Sequence, residues 1–172
     1  MKKGLLAVSG LLLILILVAC NESTSKKIES QDIKDMVHKY SVGNFDDLTA
    51  SINSHELIVN DNGKETSLAL PEDEFFVSIA PFVKTTHPCA IHSLTGCQGE
   101  LVEKDFKVYI QDENGNVVVD DTMTSLANGF IDLWLPRDKK LQVKIEYDGK
   151  IAESEISTFE GDNTCLTTMQ LI

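Results

Sequence analysis

Polar and apolar positions divide the chain into four stretches. Lys2 and Lys3 precede an apolar run from Leu5 to Val18, the order of a charged n-region and a hydrophobic h-region of an export signal. At about 14 residues this run is shorter than the roughly 20 that a bilayer-spanning helix needs. From Asn21 to about Ser30 the chain is polar and rich in Ser and Lys, with nothing periodic to bury, and reads as a tether. Ile33, Met36, Val37 and Tyr40 then recur at helical spacing. They predict a short amphipathic helix that starts at a Ser30 or Asp32 cap and closes at Val42-Gly43. Two extended runs, Ala50 to Asn60 and Lys64 to Leu70, flank Asp61-Asn62-Gly63 and predict a hairpin.

Pro71-Glu-Asp-Glu74 marks a boundary before the apolar Phe75 to Val83, which reads as a buried strand. Val102 to Ile110, Val117 to Val119, Gly129 to Leu135, Leu141 to Tyr147 and Ile151 to Thr158 follow as further strands, separated by Asp112-Glu-Asn-Gly-Asn116, Pro136-Arg-Asp138 and Asp148-Gly149 turns. Such punctuation predicts an antiparallel sandwich or barrel. Val108 to Ile156 is similar to the transthyretin-like sandwich pattern, an analogy of fold that carries no function. The expected class is α+β: a small N-terminal helix-plus-hairpin unit, then a C-terminal antiparallel β-sandwich-like domain. The expected organisation is a signal at 1–20, a tether at 21–30, a small α+β domain at 31–72 and a β-rich domain at 73–172. About 45 residues are too few for a core of their own, so the N-terminal unit is expected to pack on the rest of the chain or on a second copy.

Charge changes the picture by exclusion. The formal net charge of −12 becomes −14 once Lys2 and Lys3 leave with the signal, which disfavours nucleic acid and anionic lipid surfaces. Candidate chemistry begins at Leu17-Val18-Ala19-Cys20, which resembles the bacterial lipobox, in which the cysteine is acylated and becomes the first residue of the mature chain. Cys20 is therefore the expected lipid attachment point, and the location an extracytoplasmic one in the cell envelope, anchored to a membrane. Acylation of Cys20 leaves Cys89, Cys97 and Cys165, an odd number in an exported protein. A disulfide between two of them leaves one thiol over. His87-Pro-Cys89-Ala-Ile-His92-Ser-Leu-Thr-Gly-Cys97 holds two imidazoles and two thiols, and Cys165 is followed by Met169. Soft sulfur donors select monovalent copper over magnesium or calcium, with zinc the main competitor. Seven residues between Cys89 and Cys97 is wider than the spacing of zinc ribbons and departs from Cys-x-x-Cys. Cys89, Cys97 and Cys165 are the expected copper ligands. His87, His92 and Met169 are further candidates, each with a plainer reading as a loop histidine, a hydrogen-bond partner of a thiolate and a core methionine. No nucleophile-base-carboxylate set or phosphate loop occurs, so no catalytic residues are assigned and an enzyme is not expected.

His87-Pro-Cys89-x-x-His92-Ser-Leu-Thr-Gly-Cys97-Gln-Gly-Glu-Leu101, Asn128-Gly-Phe-Ile-Asp-Leu-Trp-Leu-Pro-Arg137 and Thr164-Cys-Leu-Thr-Thr-Met-Gln-Leu171 together resemble the CueP family of bacterial envelope copper-binding proteins. The resemblance implies copper binding by Cys89, Cys97 and Cys165 and a contribution to copper tolerance. It also implies a homodimer built through an N-terminal unit like the dimerisation domain of thiol-disulfide isomerases. The lipobox departs from the soluble periplasmic members. A thiol-disulfide isomerase or a copper acceptor is an expected partner beside the ion itself. The competing functions are a thiol redox protein that cycles a disulfide and reduces Cu(II), and an envelope interaction module without metal.

Overall fold

The computed structural model describes residues 30–172; the signal, Cys20 and all but the last residue of the tether lie outside the described residues. Helix α1 spans Ser30–Val42, with Ile33, Val37 and Ser41 buried on one face, and closes where the Gly43 amide donates to the Lys39 carbonyl at 2.9 Å. The extended run expected from Ala50 to Asn60 is two strands, β1 (Leu48–Ile52) and β2 (Glu56–Asp61). Asn53 makes the break: its Oδ1 accepts the amides of His55 and Glu56 at 3.0 and 2.9 Å, an Asx turn that diverts the chain where apolar alternation alone continues it. Strand β3 (Lys64–Ala69) pairs with β2 around Asn62-Gly63, whose φ angles of 51° and 79° are those of a type I′ turn.

The remaining strands are β4 (Glu74–Ile79), β5 (His92–Ser93), β6 (Asp105–Asp112), β7 (Val117–Thr124), β8 (Ile131–Pro136), β9 (Lys140–Tyr147), β10 (Lys150–Ser157) and β11 (Cys165–Leu166). They confirm an α+β fold with a sandwich-like C-terminal region. One sheet has the order β10-β9-β6-β7 and faces a second of order β11-β4-β8. Between them lie Phe75, Val77 and Ile79 of β4, Phe106, Val108 and Ile110 of β6, Ile131, Leu133 and Leu135 of β8, and Leu141, Val143 and Ile145 of β9. Each set alternates along its strand, as a face-to-face sandwich requires. The sandwich is not wholly antiparallel, because β11 joins β4 in parallel. Strand β6 begins at Asp105 rather than Val102, since Glu103 takes a left-handed φ of 51° and ends the preceding turn.

The other face of β4 and β8 receives the N-terminal unit. Phe76, Trp134 and Leu94 join Ile33, Val37, Ala50, Ile52 and Leu57 in a second apolar cluster. Of the two coverings expected for the N-terminal unit, the rest of the chain supplies one. Strand β5 extends the sheet to β3-β2-β1-β5, so β1 is bordered by a segment that lies beyond the Pro71 to Glu74 turn in sequence. Polar contacts cross the same junction. Ser41 Oγ donates to Asp132 Oδ2 at 2.6 Å and Arg137 Nη2 donates to the Ser54 carbonyl at 2.7 Å, while Ser78 Oγ, within the sandwich sheet, holds the other Asp132 oxygen, Oδ1, at 2.5 Å.

Candidate metal centre

Two consecutive segments, 80–91 and β5, meet the sequence-remote β11 at one end of β4. Segment 80–91 carries no strand, and its path is set by neighbours. The Phe82 amide donates to the Met169 carbonyl, the Leu171 amide returns to the Phe82 carbonyl, and Thr86 Oγ1 donates to the Thr167 carbonyl at 2.7 Å. The second segment is the two-residue β5, held against β1 with His92 opposite Ile52 and Ser93 opposite Ser51. The third is β11, where Cys165 stands opposite Ser78. Thr164 ties the three together: its Oγ1 donates to the Ile52 carbonyl at 2.6 Å and accepts the His92 amide at 3.1 Å, and the amides of Thr164 and Cys165 both reach the Ala90 carbonyl.

At the centre, Cys89 and Cys165 form a disulfide with Cα atoms 5.5 Å apart, and Cys97 is a free thiol. Closing a loop across 76 residues stabilises the oxidised fold by about 4 kcal/mol in the chain-entropy account. Cys97 Sγ lies 3.6 Å from Cys89 Sγ, and His92 Nδ1 lies 3.5 Å from Cys165 Sγ. The ligand atoms of Cys89, His92, Cys97 and Cys165 all fall within 4.8 Å of one another. Cys165 and His92 are buried, while Cys89 and Cys97 are half-buried, so the group has a deep side and a side open to solvent.

His92 is fully buried, and its ring packs 4.6 Å from that of Phe130. Burial first, and the neighbouring His87 second, hold its pKa down to about 4, because a cation is poorly solvated there. The ring is therefore neutral over the ordinary envelope pH range and keeps a lone pair for a metal or a thiol proton. Its Nε2 is buried and has no hydrogen-bond partner among the described residues.

The other candidates lie differently. His87 is outside the four-residue group: its Nδ1 is 3.2 Å from the Pro88 carbonyl and its ring lies 6.3 Å from Phe130. Met169 is buried in the sandwich core with Leu171, a separate apolar cluster from the one that holds the cysteines with Ala80 and Phe130. His92 opens the two-residue strand β5. Sequence reasoning gave no role to two contributors that stand inside its quoted blocks. Phe130 walls the site, and Thr164 is its hydrogen-bonding hub.

The donor set fits copper. Three sulfurs and a neutral imidazole are soft and borderline donors, and no carboxylate belongs to the group. Reduction of the Cys89–Cys165 disulfide is needed before all three sulfurs can act as thiolates.

A family model described as the periplasmic copper-binding protein CueP matches residues 32–170. The crystal structure of S.CueP is similar to this chain with a TM-score of 0.77 and 39% sequence identity, covering 81% of this chain and 89% of that one. No curated protein matches the chain. Among the described residues no helix is long and apolar enough to cross a membrane. The match over most of the chain, with the cysteine and histidine cluster at its centre, shows that the chain belongs to the CueP family of periplasmic copper-binding proteins, which implies copper as its metal and an extracytoplasmic location.

Proposed function

We propose that this protein binds Cu(I) through the thiolates of Cys89, Cys97 and Cys165, sequesters it or hands it on, and so contributes to copper tolerance. The observation that carries the reading is the convergence of three sulfurs and the neutral His92 ring within 4.8 Å. Loading starts with a dithiol donor, such as a thiol-disulfide isomerase, that gives two electrons and two protons to the Cys89–Cys165 disulfide and becomes a disulfide itself. Cu(I) then displaces the thiol protons, which leave to solvent, and His92, neutral against Cys165, hydrogen-bonds that sulfur or adds a nitrogen ligand. Half-buried Cys89 and Cys97 are the entry side.

A second reading is favoured by the disulfide beside a free thiol. The reduced Cys89–Cys165 pair gives one electron to each of two Cu(II) ions, yielding two Cu(I), two protons and the disulfide. Binding and redox then share one site. The protein is proposed to be held to a membrane by lipid on Cys20 and to dimerise through the N-terminal unit, whose strand β3 ends its sheet and is largely exposed.

An anaerobic Cu(I) titration of the reduced, processed protein against a competing chelator tests the first reading. One Cu(I) per chain is expected, with binding weakened at least tenfold, about 1.4 kcal/mol, in each of Cys89→Ser, Cys97→Ser and Cys165→Ser. Undiminished affinity in any of the three contradicts it. Cu(II) added to the reduced protein under the same conditions tests the second, which requires two Cu(I) formed per disulfide.

A further inference from the structure

The segment that delivers Cys89 has no ladder of its own, yet its sulfur lies 3.6 Å from Cys97. Three consecutive amides in that segment, those of Val83, Lys84 and Thr85, converge on one oxygen, Glu100 Oε2, at 2.8, 2.9 and 3.1 Å. Successive backbone N–H groups turned to one point form an anion-binding nest, and here a carboxylate of the same chain fills it. These bonds are charge-assisted, and they hold the Glu100 carboxyl below its ordinary range, with the Lys84 and Thr85 amides as the largest causes.

Glu100 is itself fixed relative to Cys97. The intervening Gly99 donates its amide to the Asn128 carbonyl at 2.7 Å. A Cβ on Gly99 would stand 2.5 Å from the Gly129 carbonyl oxygen, so the two backbones abut and the loop cannot slide. The Cys89 segment is thus pinned twice. Thr86 joins it to Thr167 on the Cys165 side, and Glu100 joins it to the Cys97 side.

We infer that Glu100 is a positioning residue of the copper site, its carboxylate holding the Cys89 segment against the Cys97 loop so that the sulfurs are prearranged for one ion. The inference rests on the proposed Cu(I) reading for its consequence, but its geometry also bears on the disulfide, which gives a copper-free readout. Releasing the nest lowers the effective concentration of the Cys89 thiol at its partners. A small carboxylate from solution restores the arrangement by occupying the vacated amides.

The test uses the full chain with Glu100→Ala and Glu100→Gln. Cu(I) affinity is read by chelator competition, and the Cys89–Cys165 disulfide constant in glutathione redox buffer. In Glu100→Ala both are expected to fall about tenfold, the second equivalent to about 30 mV. Acetate is expected to restore both toward the unmodified values while leaving the unmodified protein unaffected. Glu100→Gln, which keeps an acceptor oxygen without the charge, falls between. Values within twofold of the unmodified protein in Glu100→Ala overturn the inference. So does a loss of both that acetate does not reverse, which marks Glu100 as a general stabiliser. If the unmodified protein fails to bind Cu(I) while the disulfide constant still shifts and recovers with acetate, the copper reading falls and the positioning role stands.

Discussion

His92 concentrates the chemistry of the site in one ring. Its pKa is lowered from 6.5 to about 4 by burial, so between those values the unfolded chain binds more protons than the folded one. Stability that is present above pH 6.5 is therefore lost as the pH falls toward 4, by an amount on the order of 3 kcal/mol. Urea unfolding of the oxidised, metal-free protein at pH 6.5 and 4.5 should show a larger loss in the unmodified chain than in His92→Gln; parallel losses would contradict a buried neutral imidazole. At this scale the sequence was informative about ligand type, since the odd cysteine count and two nearby histidines are visible without coordinates. It was uninformative about which sulfurs pair, because pairing is set by the distance between Cys89 and Cys165 across 76 residues. Glu100 stood in the block that ends at Leu101 without a role, since its partners are backbone amides and leave no mark in side-chain pattern.

Among the elements, the hairpins at Asn62-Gly63 and Asp148-Gly149 were legible because both pairs take the positive φ angles that those residues tolerate. The strands that build the site were not. Strands β5 and β11 have two residues each, too few for any period to register. Their existence depends on β1 and β4, which offer the pairing edges. Asp132 links helix to sandwich, accepting from Ser41 of α1 and Ser78 of β4, with His38 of α1 the charge acting on it. Burial, opposed by those hydrogen bonds, raises its pKa above the ordinary 3.8. The folded chain thus holds this proton more firmly than the unfolded chain. The contribution of Asp132 is fully present below pH 3.8 and declines as the pH rises through its folded value. Denaturation at several pH values should show the stability of the unmodified protein relative to Asp132→Asn declining from pH 4 to 7. A difference independent of pH would refute a buried, proton-retaining carboxyl.

At the scale of the whole molecule, the N-terminal unit and the sandwich share an apolar cluster through Phe76, Leu94 and Trp134, and the sheet of the former carries His92 of the site. Removal of residues 30–70 should therefore do more than separate the proposed dimer. It uncovers Phe76, which is fully buried and worth about 1.5–3 kcal/mol, and frees β5 from β1. The truncated chain should melt at a lower temperature and bind Cu(I) more weakly. Equal affinity in the truncated chain would show that β1 is dispensable for the site. Light scattering of the intact processed chain should give twice the chain mass, and a monomer mass would remove the proposed dimer. The sulfur site itself is tested most directly by X-ray absorption at the copper edge of the reduced protein loaded with one Cu(I) per chain. Three sulfur neighbours are predicted, falling to two in Cys165→Ser, whereas a first shell of nitrogen and oxygen, or a sulfur count unchanged by that substitution, would contradict a three-thiolate copper centre.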